Sequence, residues 1–421
     1  MTKPFYSRRQ VCRLCDSAQV ECVFQLEPSA LAEWYLPPER AHEADQRFPL
    51  DLFLCRSCGH VQLFDLIDPE RLFTNYVYTS ASSPGLEQHF SRYAENVVGK
   101  LNLAPESLAV DVGSNDGTLL RQFAKRGMRV VGIDPATAIA KAATAAGIPT
   151  YNAFMEQETA RKLVQDYGLA KLCTANNVFA HNDHLGDMAE AIASLLDQDG
   201  VFVFEVSYLL DTVEGLVFDF IYHEHLCYHS VKPLDIFLRR HGLHLFDVER
   251  SPSKGGSLRA FAQKLGGHRP VASRVGEFIA LEEAARLRDP SMYRSYIQRV
   301  NSLRDQTVEY LQGERARGAT IAGYGASATV TTLLHHFKIG QLFDFLVDDN
   351  PIRHGTLSPG YRIPVKHPQA LYQDKPDIVV VLAWRFAQSI LNQHPAYLRQ
   401  GGKFVVPVPT FREHHYKVAA A

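Results

Sequence analysis

Two apolar runs joined by a glycine turn and a helical segment stand out in the first half of the chain. Residues 108–112 form a short apolar run, which predicts a buried strand, and residues 129–133 form a second one. Between them, the turn GSNDG at 113–117 leads into residues 118–125, whose apolar side chains recur at helical spacing. Asp134 ends the second strand. This order of strand, glycine turn, helix, strand and acid predicts the nucleotide-binding half of a doubly wound sheet.

The glycine spacing in this turn discriminates between nucleotide ligands. A dinucleotide-binding loop would have glycines at 113, 115 and 118, but two of these positions are Asn115 and Thr118. Gly113 and Gly117 fit instead the Gly-x-x-x-Gly loop of S-adenosylmethionine (SAM) methyltransferases, whose ligand has no pyrophosphate. Asp134 can accept hydrogen bonds from both ribose hydroxyls. Short glycine motifs also match by chance, so an α/β domain with an ordinary glycine turn stays open as an alternative at this point.

The strands that follow add candidates around the same ligand. Residues 148–154 predict a strand and a turn, where Phe154 can cover an adenine ring. The next predicted strand contains Asn176 and leads to His181. Ligands of open α/β sheets bind beyond the carboxyl ends of strands, so we expect His181 near the methyl donor. It would serve there as a functional group or as a structural hydrogen-bond donor.

Residues 218–230 (FDFIYHEHLCYHS) concentrate three histidines, a glutamate and two tyrosines. The His223-Glu224-His225 order lacks the i, i+4 spacing of a helical metal site. A general acid–base cluster fits better, since Glu224 or a backbone group can orient an imidazole and Tyr222 can donate to a developing oxyanion. The alternative is a polar loop with surface histidines.

A loop at 72–85 also carries residues with possible chemistry. Its Ser, Pro and Gly content predicts irregular backbone, and it contains Tyr76 and Tyr78. Tyrosines in such a loop serve in packing or in catalysis, and the sequence alone leaves both roles open.

Four cysteines form two C-x-x-C pairs near the N-terminus. Each pair presents two thiolates to one point, and two such turns complete a tetrahedral metal site. Four cysteine ligands leave no open position, so we expect structural Zn²⁺. The predicted ligands are Cys12, Cys15, Cys55 and Cys58.

A second glycine turn of the nucleotide-binding type lies in the last third of the chain. A predicted strand at 320–322 leads into Gly323-x-Gly325-x-x-Ala328 and then a helix. A further predicted strand ends in Asp348-Asp349. This half could bind NAD, could hold another nucleotide, or could be a duplicated fold that binds no ligand.

Composition limits the remaining choices. With 421 residues the chain is expected to contain two or three domains. A formal net charge of −2 argues against nucleic-acid binding, and no run approaches the roughly 18 apolar residues of a membrane span. The N-terminus lacks the apolar segment of a signal peptide, so we expect a cytoplasmic location. In that reducing compartment, seven cysteines indicate metal ligands or free thiols rather than disulfides.

The chain resembles the three-domain SAM-dependent sugar C-methyltransferases of deoxysugar biosynthesis, a branch of natural-product biosynthesis. The resemblance rests on the cysteine pairs, DVGSNDG, ANNVFAH, YHEH, KGGSLR and AGYGASA, which occur here in this order. It implies an α/β fold with a small N-terminal zinc-binding domain (1–75), a central Rossmann-like SAM methyltransferase domain (76–240) and a C-terminal Rossmann-like domain (241–421) that binds the substrate.

The resemblance also assigns chemistry to individual positions. The family methylates a carbon next to a ketone in a nucleotide-linked deoxysugar, through an enolate. By resemblance, His225 is the base, Tyr222 and Glu224 are its partners, and Tyr76 and His181 line the sugar pocket. The predicted cofactor residues are Gly113, Asn115, Asp116, Gly117, Asp134, Phe154 and Asn176.

Two departures from the family pattern bear on the substrate. Lys254 stands where the family usually has a histidine before its Gly-Gly-Ser turn, and Thr329 stands where it usually has a lysine. Losing that lysine removes a phosphate contact, which Lys254 or Arg385 could replace. The alternatives are a different, non-sugar-nucleotide natural-product substrate, or an NAD-dependent oxidoreductase that uses the C-terminal glycine turn. We expect a monomer that acts on a small molecule, without nucleic acid or membrane partners.

Overall fold

The protein is described by a computed structural model that covers residues 4–74, 76, 79–82 and 85–416. It folds as two compact units, which are not contiguous in sequence. The first unit comprises the described residues within Met1–Glu21, Leu54–Leu210 and Leu226–Arg288. The second unit comprises those within Cys22–Phe53, Asp211–His225 and Asp289–Ala421. Within the described ranges, every helix is too short or too polar to cross a membrane.

The N-terminal part of the chain is built from short strands. Its elements are β1 (Tyr6–Arg8), β2 (Val20–Phe24), β3 (Leu52–Cys55), β4 (Val61–Leu63), β5 (Asp65–Ile67) and α1 (Pro69–Phe73). Asp68 begins α1, because its side chain accepts a hydrogen bond from the Glu70 N–H, and Pro69 occupies the first helical position. β1 pairs with β5 in an antiparallel arrangement. The second cysteine pair lies at the end of β3 and in the turn to β4, so the small strands position the metal ligands.

The middle of the chain alternates helices and strands. Its elements are α2 (Leu86–Leu101), β6 (Leu108–Val112), α3 (Thr118–Ala124), β7 (Arg129–Ile133), α4 (Thr137–Ala145), β8 (Thr150–Tyr151), α5 (Gln157–Tyr167), β9 (Ala170–Asn176), α6 (Leu185–Leu195), β10 (Leu196–Ser207), α7 (Leu209–Glu214), β11 (Cys227–Tyr228), α8 (Val231–Arg240), β12 (Leu243–Ser251), β13 (Ser257–Lys264) and α9 (Ser273–Ala284).

A seven-stranded sheet organises this region, with strand order β12-β13-β10-β9-β6-β7-β8. Strands β10, β9, β6, β7 and β8 are parallel, and β13 is antiparallel to both β10 and β12. All five residues of β6 are buried, because helices cover both faces of a parallel sheet. Apolar residues of α2 and α3, such as Val97 and Leu120, pack on Ala109 and Leu172 of the sheet. The sheet therefore includes strands up to residue 264.

The last third of the chain forms a second, smaller parallel sheet. Its elements are α10 (Pro290–Ala316), β14 (Ile321–Tyr324), α11 (Ala328–Phe337), β15 (Phe345–Val347), β16 (Val365–Lys366), α12 (Ala370–Gln373), β17 (Ile378–Val381), α13 (Ala387–Gln393), α14 (Pro395–Arg399), β18 (Lys403–Val406) and β19 (Arg412–His414). The strand order is β16-β15-β14-β17-β18-β19, and only β19 is antiparallel to its neighbour. After β14 the chain adds β15 and β16 on one side and then β17 and β18 on the other side. Ligands of Rossmann-like sheets bind at such a reversal of strand order. The predicted α/β fold class is confirmed.

Candidate functional site

The four predicted metal ligands converge in the first unit. The Cys12 and Cys58 sulfur atoms are 3.7 Å apart, and those of Cys15 and Cys55 are 3.5 Å apart. All four Sγ atoms lie within 4.8 Å of one another. Gly59 follows the second pair with φ of 89°, a conformation that glycine adopts without strain. The sulfurs therefore surround a single point, as tetrahedral Zn²⁺ requires.

The environment of these thiols suits a cation. Hydrogen bonding with Cys12 and burial raise the pKa of the Cys58 thiol far above its usual value. Burial raises the pKa of Cys15 to about 11. Four crowded thiols therefore resist joint ionisation, and a divalent cation removes that cost because it binds thiolates directly. The residues fit a structural zinc ion.

The predicted cofactor loop follows β6 in the same unit. Gly113 and Gly117 have φ of 68° and 76°, and Asn115 between them has φ of 50°. Each oxygen of the Asp134 carboxylate accepts one backbone N–H at 2.8 Å, from Asn115 and from Ala136. The acid at the end of β7 thus fixes the curvature of the loop, and each oxygen has a lone pair left for a ribose hydroxyl. The residues fit the adenosyl part of SAM.

Residues 80 and 81, within the predicted loop at 72–85, contact this glycine turn. The backbone N–H of Ser80 donates to Asn115 Oδ1 at 2.8 Å, and the N–H of Ala81 donates to Asp116 Oδ2 at 2.9 Å. The other Asp116 oxygen accepts the N–H of Thr118 at 3.0 Å. The Asn115 and Asp116 side chains therefore hold the segment at 79–82 over the glycine turn. The sequence predicted a loop here but carried no signal for its contact with the glycine turn.

Asp111 is a buried acid in β6, two residues before the glycine loop begins. Asp111 is 4% exposed and accepts a 2.6 Å hydrogen bond from Thr174 Oγ1 on β9. Burial raises the pKa of Asp111 to about 7; the Thr174 hydrogen bond opposes this rise and the nearby Asp134 charge adds to it. Asp111 was absent from the predicted site because it lies inside an apolar run.

The two remaining predicted cofactor residues lie on neighbouring strands and turns. Asn176 ends β9, and both polar atoms of its amide are buried. It pairs in register with Glu205 of β10. The Glu205 carboxylate is bound by Arg259 and, at 3.0 Å, by His89 of α2. Phe154 is half-buried after β8, and its carbonyl accepts a hydrogen bond from Thr159.

Tyr76 and His181 are brought together through a third ring. The Phe73 ring stacks on the His181 ring with centroids 5.8 Å apart and nearly parallel planes. The same Phe73 meets the Tyr76 ring edge-on at 6.0 Å. Both predicted pocket residues therefore lie on one side of the first unit. Tyr78, the other tyrosine of this loop, falls outside the described residues.

The predicted base segment belongs by its contacts to the second unit. His225 is 8% exposed, and its Nδ1 lies 2.8 Å from the carbonyl oxygen of Phe220. A carbonyl only accepts, so Nδ1 carries the proton and Nε2 has the lone pair. The centroids of the Tyr222 and His225 rings are 4.0 Å apart. Glu224, which directly precedes His225 in the sequence, is also buried. The geometry gives His225 a basic nitrogen with a fixed tautomer.

The neighbouring histidine has a different environment. His223 Nε2 donates to the Phe48 carbonyl at 3.3 Å, and the two rings meet edge-on. Burial lowers the pKa of His223 to about 4, so it stays neutral. His223 is a packing residue, which removes the alternative of a surface loop for this position.

The C-terminal glycine turn is filled by the chain's own acids. The Ala326 N–H donates to Asp348 at 2.6 Å, and the Ala328 N–H at the start of α11 donates to Glu33 at 3.1 Å. Arg353 pairs with Glu33 at 3.1 Å and with Asp348 at 3.3 Å. Asp349 accepts a hydrogen bond from the hydroxyl of the residue between the two glycines. The donors that hold phosphates in a nucleotide-binding turn are therefore occupied by carboxylates.

The two family departures occupy different environments. Lys254 is exposed in a 3-10 turn before β13. Thr329 is buried and accepts a hydrogen bond from Arg385 at 3.1 Å, and Arg385 is paired with the buried Asp219. Asp219 therefore already compensates the Arg385 charge.

Three family models match the chain in succession. They are "Putative zinc binding domain" at residues 12–73, "Methyltransferase domain" at residues 87–248 and "C-methyltransferase C-terminal domain" at residues 252–409. C-methyltransferase NovU of Streptomyces niveus is 33% identical over 399 residues, which cover 94% of this chain and 95% of NovU. The match extends over nearly the whole length of both proteins.

Similar solved structures are more distant. Magnesium protoporphyrin IX methyltransferase (ChlM) from Synechocystis PCC 6803 with bound SAM is 17% identical, with a TM-score of 0.33, over 43% of this chain and 80% of that one. The CcbJ methyltransferase from Streptomyces caelestis is 13% identical, with a TM-score of 0.34, over 45% of this chain and 94% of that one. These likenesses are too distant to indicate a substrate or a site residue.

Proposed function

Because the chain belongs to the family of three-domain SAM-dependent sugar C-methyltransferases, we propose that it methylates a carbon next to a ketone in a nucleotide-linked deoxysugar. The predicted family, enzyme class and cofactors, SAM and zinc, are confirmed. The substrate, the enolate and the roles of individual residues are the proposal. The hydrogen bond from His225 Nδ1 to the Phe220 carbonyl carries it, since that bond leaves Nε2 as a base.

The reaction needs a carbanion equivalent, which the chain's own residues must generate. Bound SAM would supply an electrophilic methyl group, which would pass to the carbon next to the ketone as the C–S bond breaks and S-adenosylhomocysteine leaves. His225 Nε2 takes the proton from the carbon next to the ketone, and the C–H electron pair moves into the enolate. The Tyr222 hydroxyl donates to the oxygen that gains charge, which lowers the barrier because the donor is already in place. Glu224 stabilises the imidazolium that forms.

The rest of the substrate is recognised by groups outside this chemistry. Tyr76 and His181 donate to sugar hydroxyls, and their shared contact with Phe73 keeps them in one orientation. Lys254 takes the phosphate contact that Thr329 cannot provide, because it is an exposed cation directly before the Gly-Gly-Ser turn and Arg385 is already neutralised by Asp219. The cofactor is held by the glycine loop with Asp134 on the ribose.

Two assays separate the reaction type from the substrate. The first mixes the protein with SAM and a panel of nucleotide keto-sugars and measures S-adenosylhomocysteine and the methylated product. A product methylated on oxygen or nitrogen would refute the carbon-centred mechanism. If SAM binds tightly and no nucleotide keto-sugar turns over, the substrate is a different natural product. The second assay replaces water with D₂O and follows exchange of the hydrogen next to the ketone without methyl transfer.

His225→Asn tests the base directly. The expected result is a fall in turnover of about 100-fold or more, since general base catalysis contributes 10²–10⁴, with loss of deuterium exchange and unchanged SAM affinity. His268→Asn is the matched control, because His268 is an exposed histidine of the first unit outside the proposed site. Retained deuterium exchange in His225→Asn would transfer the base role to another residue. The monomeric state stays a prediction, which sedimentation of the purified protein checks.

A further inference from the structure

The segment that carries His225 is anchored within the second unit from several sides. It begins with a 3-10 turn at Phe218–Phe220. The ring of Phe218 stacks on Phe337 of α11, with centroids 5.3 Å apart. Thr332 of the same helix donates from Oγ1 to the Ile221 carbonyl at 2.8 Å. These contacts fix the backbone on both sides of Phe220.

Asp219 adds an ionic anchor to these contacts. It is completely buried, and both of its oxygens lie 2.8 Å from one guanidinium nitrogen of Arg385. Trp384 donates its indole N–H to the same carboxylate at 2.9 Å. Burial raises the pKa of Asp219 and the guanidinium opposes that rise. A carboxylate without solvent needs such partners, so the three side chains hold one another in a single arrangement.

The anchor is one residue away from the carbonyl that binds the base. Phe220 follows Asp219 directly, and its carbonyl accepts the His225 Nδ1 proton at 2.8 Å. The Arg385 guanidinium also lies 4.4 Å from the Phe220 ring, and that ring is 5.8 Å from the His225 ring. A shift at Asp219 would therefore move the acceptor that fixes the tautomer and the ring orientation of His225.

We propose that Asp219, clamped by Arg385 and Trp384, is the positioning residue that orients His225 through the Phe220 carbonyl. The inference rests on the proposed role of His225 as the base. Asp219 touches neither substrate nor cofactor in this account. It acts by keeping the Nδ1–H on the carbonyl, so that every His225 presents Nε2 to the substrate. The clamp also explains why the base segment folds with the C-terminal sheet, from which Trp384 and Arg385 extend at the end of β17.

Three variants of the full-length, SAM-loaded protein test the clamp. Asp219→Asn removes the charge, Trp384→Phe removes one donor and keeps the ion pair, and the double variant Asp219→Asn with Arg385→Gln restores a neutral hydrogen-bonded pair. The matched control is Glu33→Gln, which removes the charge of another buried ion pair in the same unit, with Arg353. The readouts are kcat, KM, SAM affinity, deuterium exchange and the ¹⁵N spectrum of labelled histidines.

The expected effects of these variants on kcat, KM and SAM affinity differ from those of a variant that only loses stability. Asp219→Asn lowers kcat and deuterium exchange about tenfold, while KM and SAM affinity change less than twofold. Trp384→Phe has a smaller effect in the same direction, and the double variant recovers part of the loss, because removing both partners costs less than stranding one. The His225 ¹⁵N signals, assigned by their absence in His225→Asn, shift from one tautomer to a mixture. Glu33→Gln lowers stability and leaves kcat unchanged.

Three results would overturn the inference, and they are distinguishable. If His225→Asn keeps full turnover, the proposed base is wrong and Asp219 has no base to position. If His225→Asn is inactive but Asp219→Asn keeps wild-type kcat and a single His225 tautomer, the base stands and the clamp is only structural. A fall in kcat matched by Glu33→Gln at equal loss of stability also assigns Asp219 a structural role.

Discussion

The Glu33 carboxylate accepts the backbone N–H of Ala328, at the point where a Rossmann-like turn would receive a phosphate. Arg353 pairs with that carboxylate, and its charge opposes the rise in the Glu33 pKa that burial causes. We therefore predict that NADH leaves the thermal unfolding midpoint unchanged, whereas SAM raises it, because only a ligand of the folded state stabilises by mass action. Differential scanning fluorimetry at equal ligand concentrations measures this.

Glu33→Ala extends the same test. Removing the internal carboxylate opens the N-terminus of α11, so inorganic phosphate should protect the variant more than the wild-type protein against heat. A wild-type midpoint that rises with NADH alone would contradict the prediction and favour an oxidoreductase.

Asp134 is predicted to control SAM affinity by shaping the loop. Its two oxygens each accept one N–H, from Asn115 and Ala136. Asp134→Asn turns one acceptor into a donor facing an N–H, and it also weakens a ribose contact. The SAM dissociation constant should rise about 10- to 100-fold, as expected for hydrogen bonds to a charged group. Isothermal titration calorimetry measures it, and Asp187→Asn, at an exposed carboxyl on α6, is the control. Equal affinities for the two variants would remove Asp134 from the site.

The sequence predicted helices and strands best where a single pattern of apolar residues continues over several positions. The strands at Leu108–Val112 and Arg129–Ile133 have the predicted bounds, because uninterrupted apolar runs fit only a covered sheet. The four cysteines were predicted as a cluster, because the C-x-x-C spacing determines local geometry. Long-range partners carried no such signal. Nothing in the sequence linked Asp219 to Arg385 or Glu33 to Ala328.

The same limit applies to domain organisation. The bounds 1–75, 76–240 and 241–421 stay a prediction, and the fold shows why boundaries are hard to place from periodicity. Strands β12 and β13 extend the seven-stranded sheet beyond residue 240. The segment Asp211–His225 folds with the second unit although sequence places it between elements of the first. Both features depend on pairing between distant segments, which a local pattern does not encode.

Asp111 predicts a specific dependence of stability on pH. Burial raises its pKa to about 7, so between about pH 4 and pH 7 the folded state binds a proton that the unfolded chain has lost. The contribution of Asp111 to stability therefore falls as pH rises through this window and is lowest above it. Asp111→Asn keeps the acceptor for Thr174 and cannot ionise, so the variant should gain up to about 4 kcal/mol over wild type as pH rises from 4 to 8.

Urea unfolding at several pH values measures this difference. Asp305→Asn, at an exposed carboxyl of α10, is the control and should leave the dependence on pH unchanged. A constant difference between Asp111→Asn and wild type from pH 4 to pH 8 would show that Asp111 stays ionised in the folded protein.

The cysteine cluster predicts that zinc contributes to folding stability. Cys15 is the least buried of the four ligands, so Cys15→Ser changes packing little and acts through the metal. We expect metal content to fall from one zinc per chain to well below one, and the free energy of unfolding to fall by about 3 kcal/mol or more. Cys22→Ser is the matched control, because Cys22 is an exposed cysteine of β2 outside the cluster. Mass spectrometry for zinc and urea unfolding measure both quantities. A stoichiometric zinc content in Cys15→Ser, or equal destabilisation by Cys22→Ser, would contradict a four-cysteine structural site.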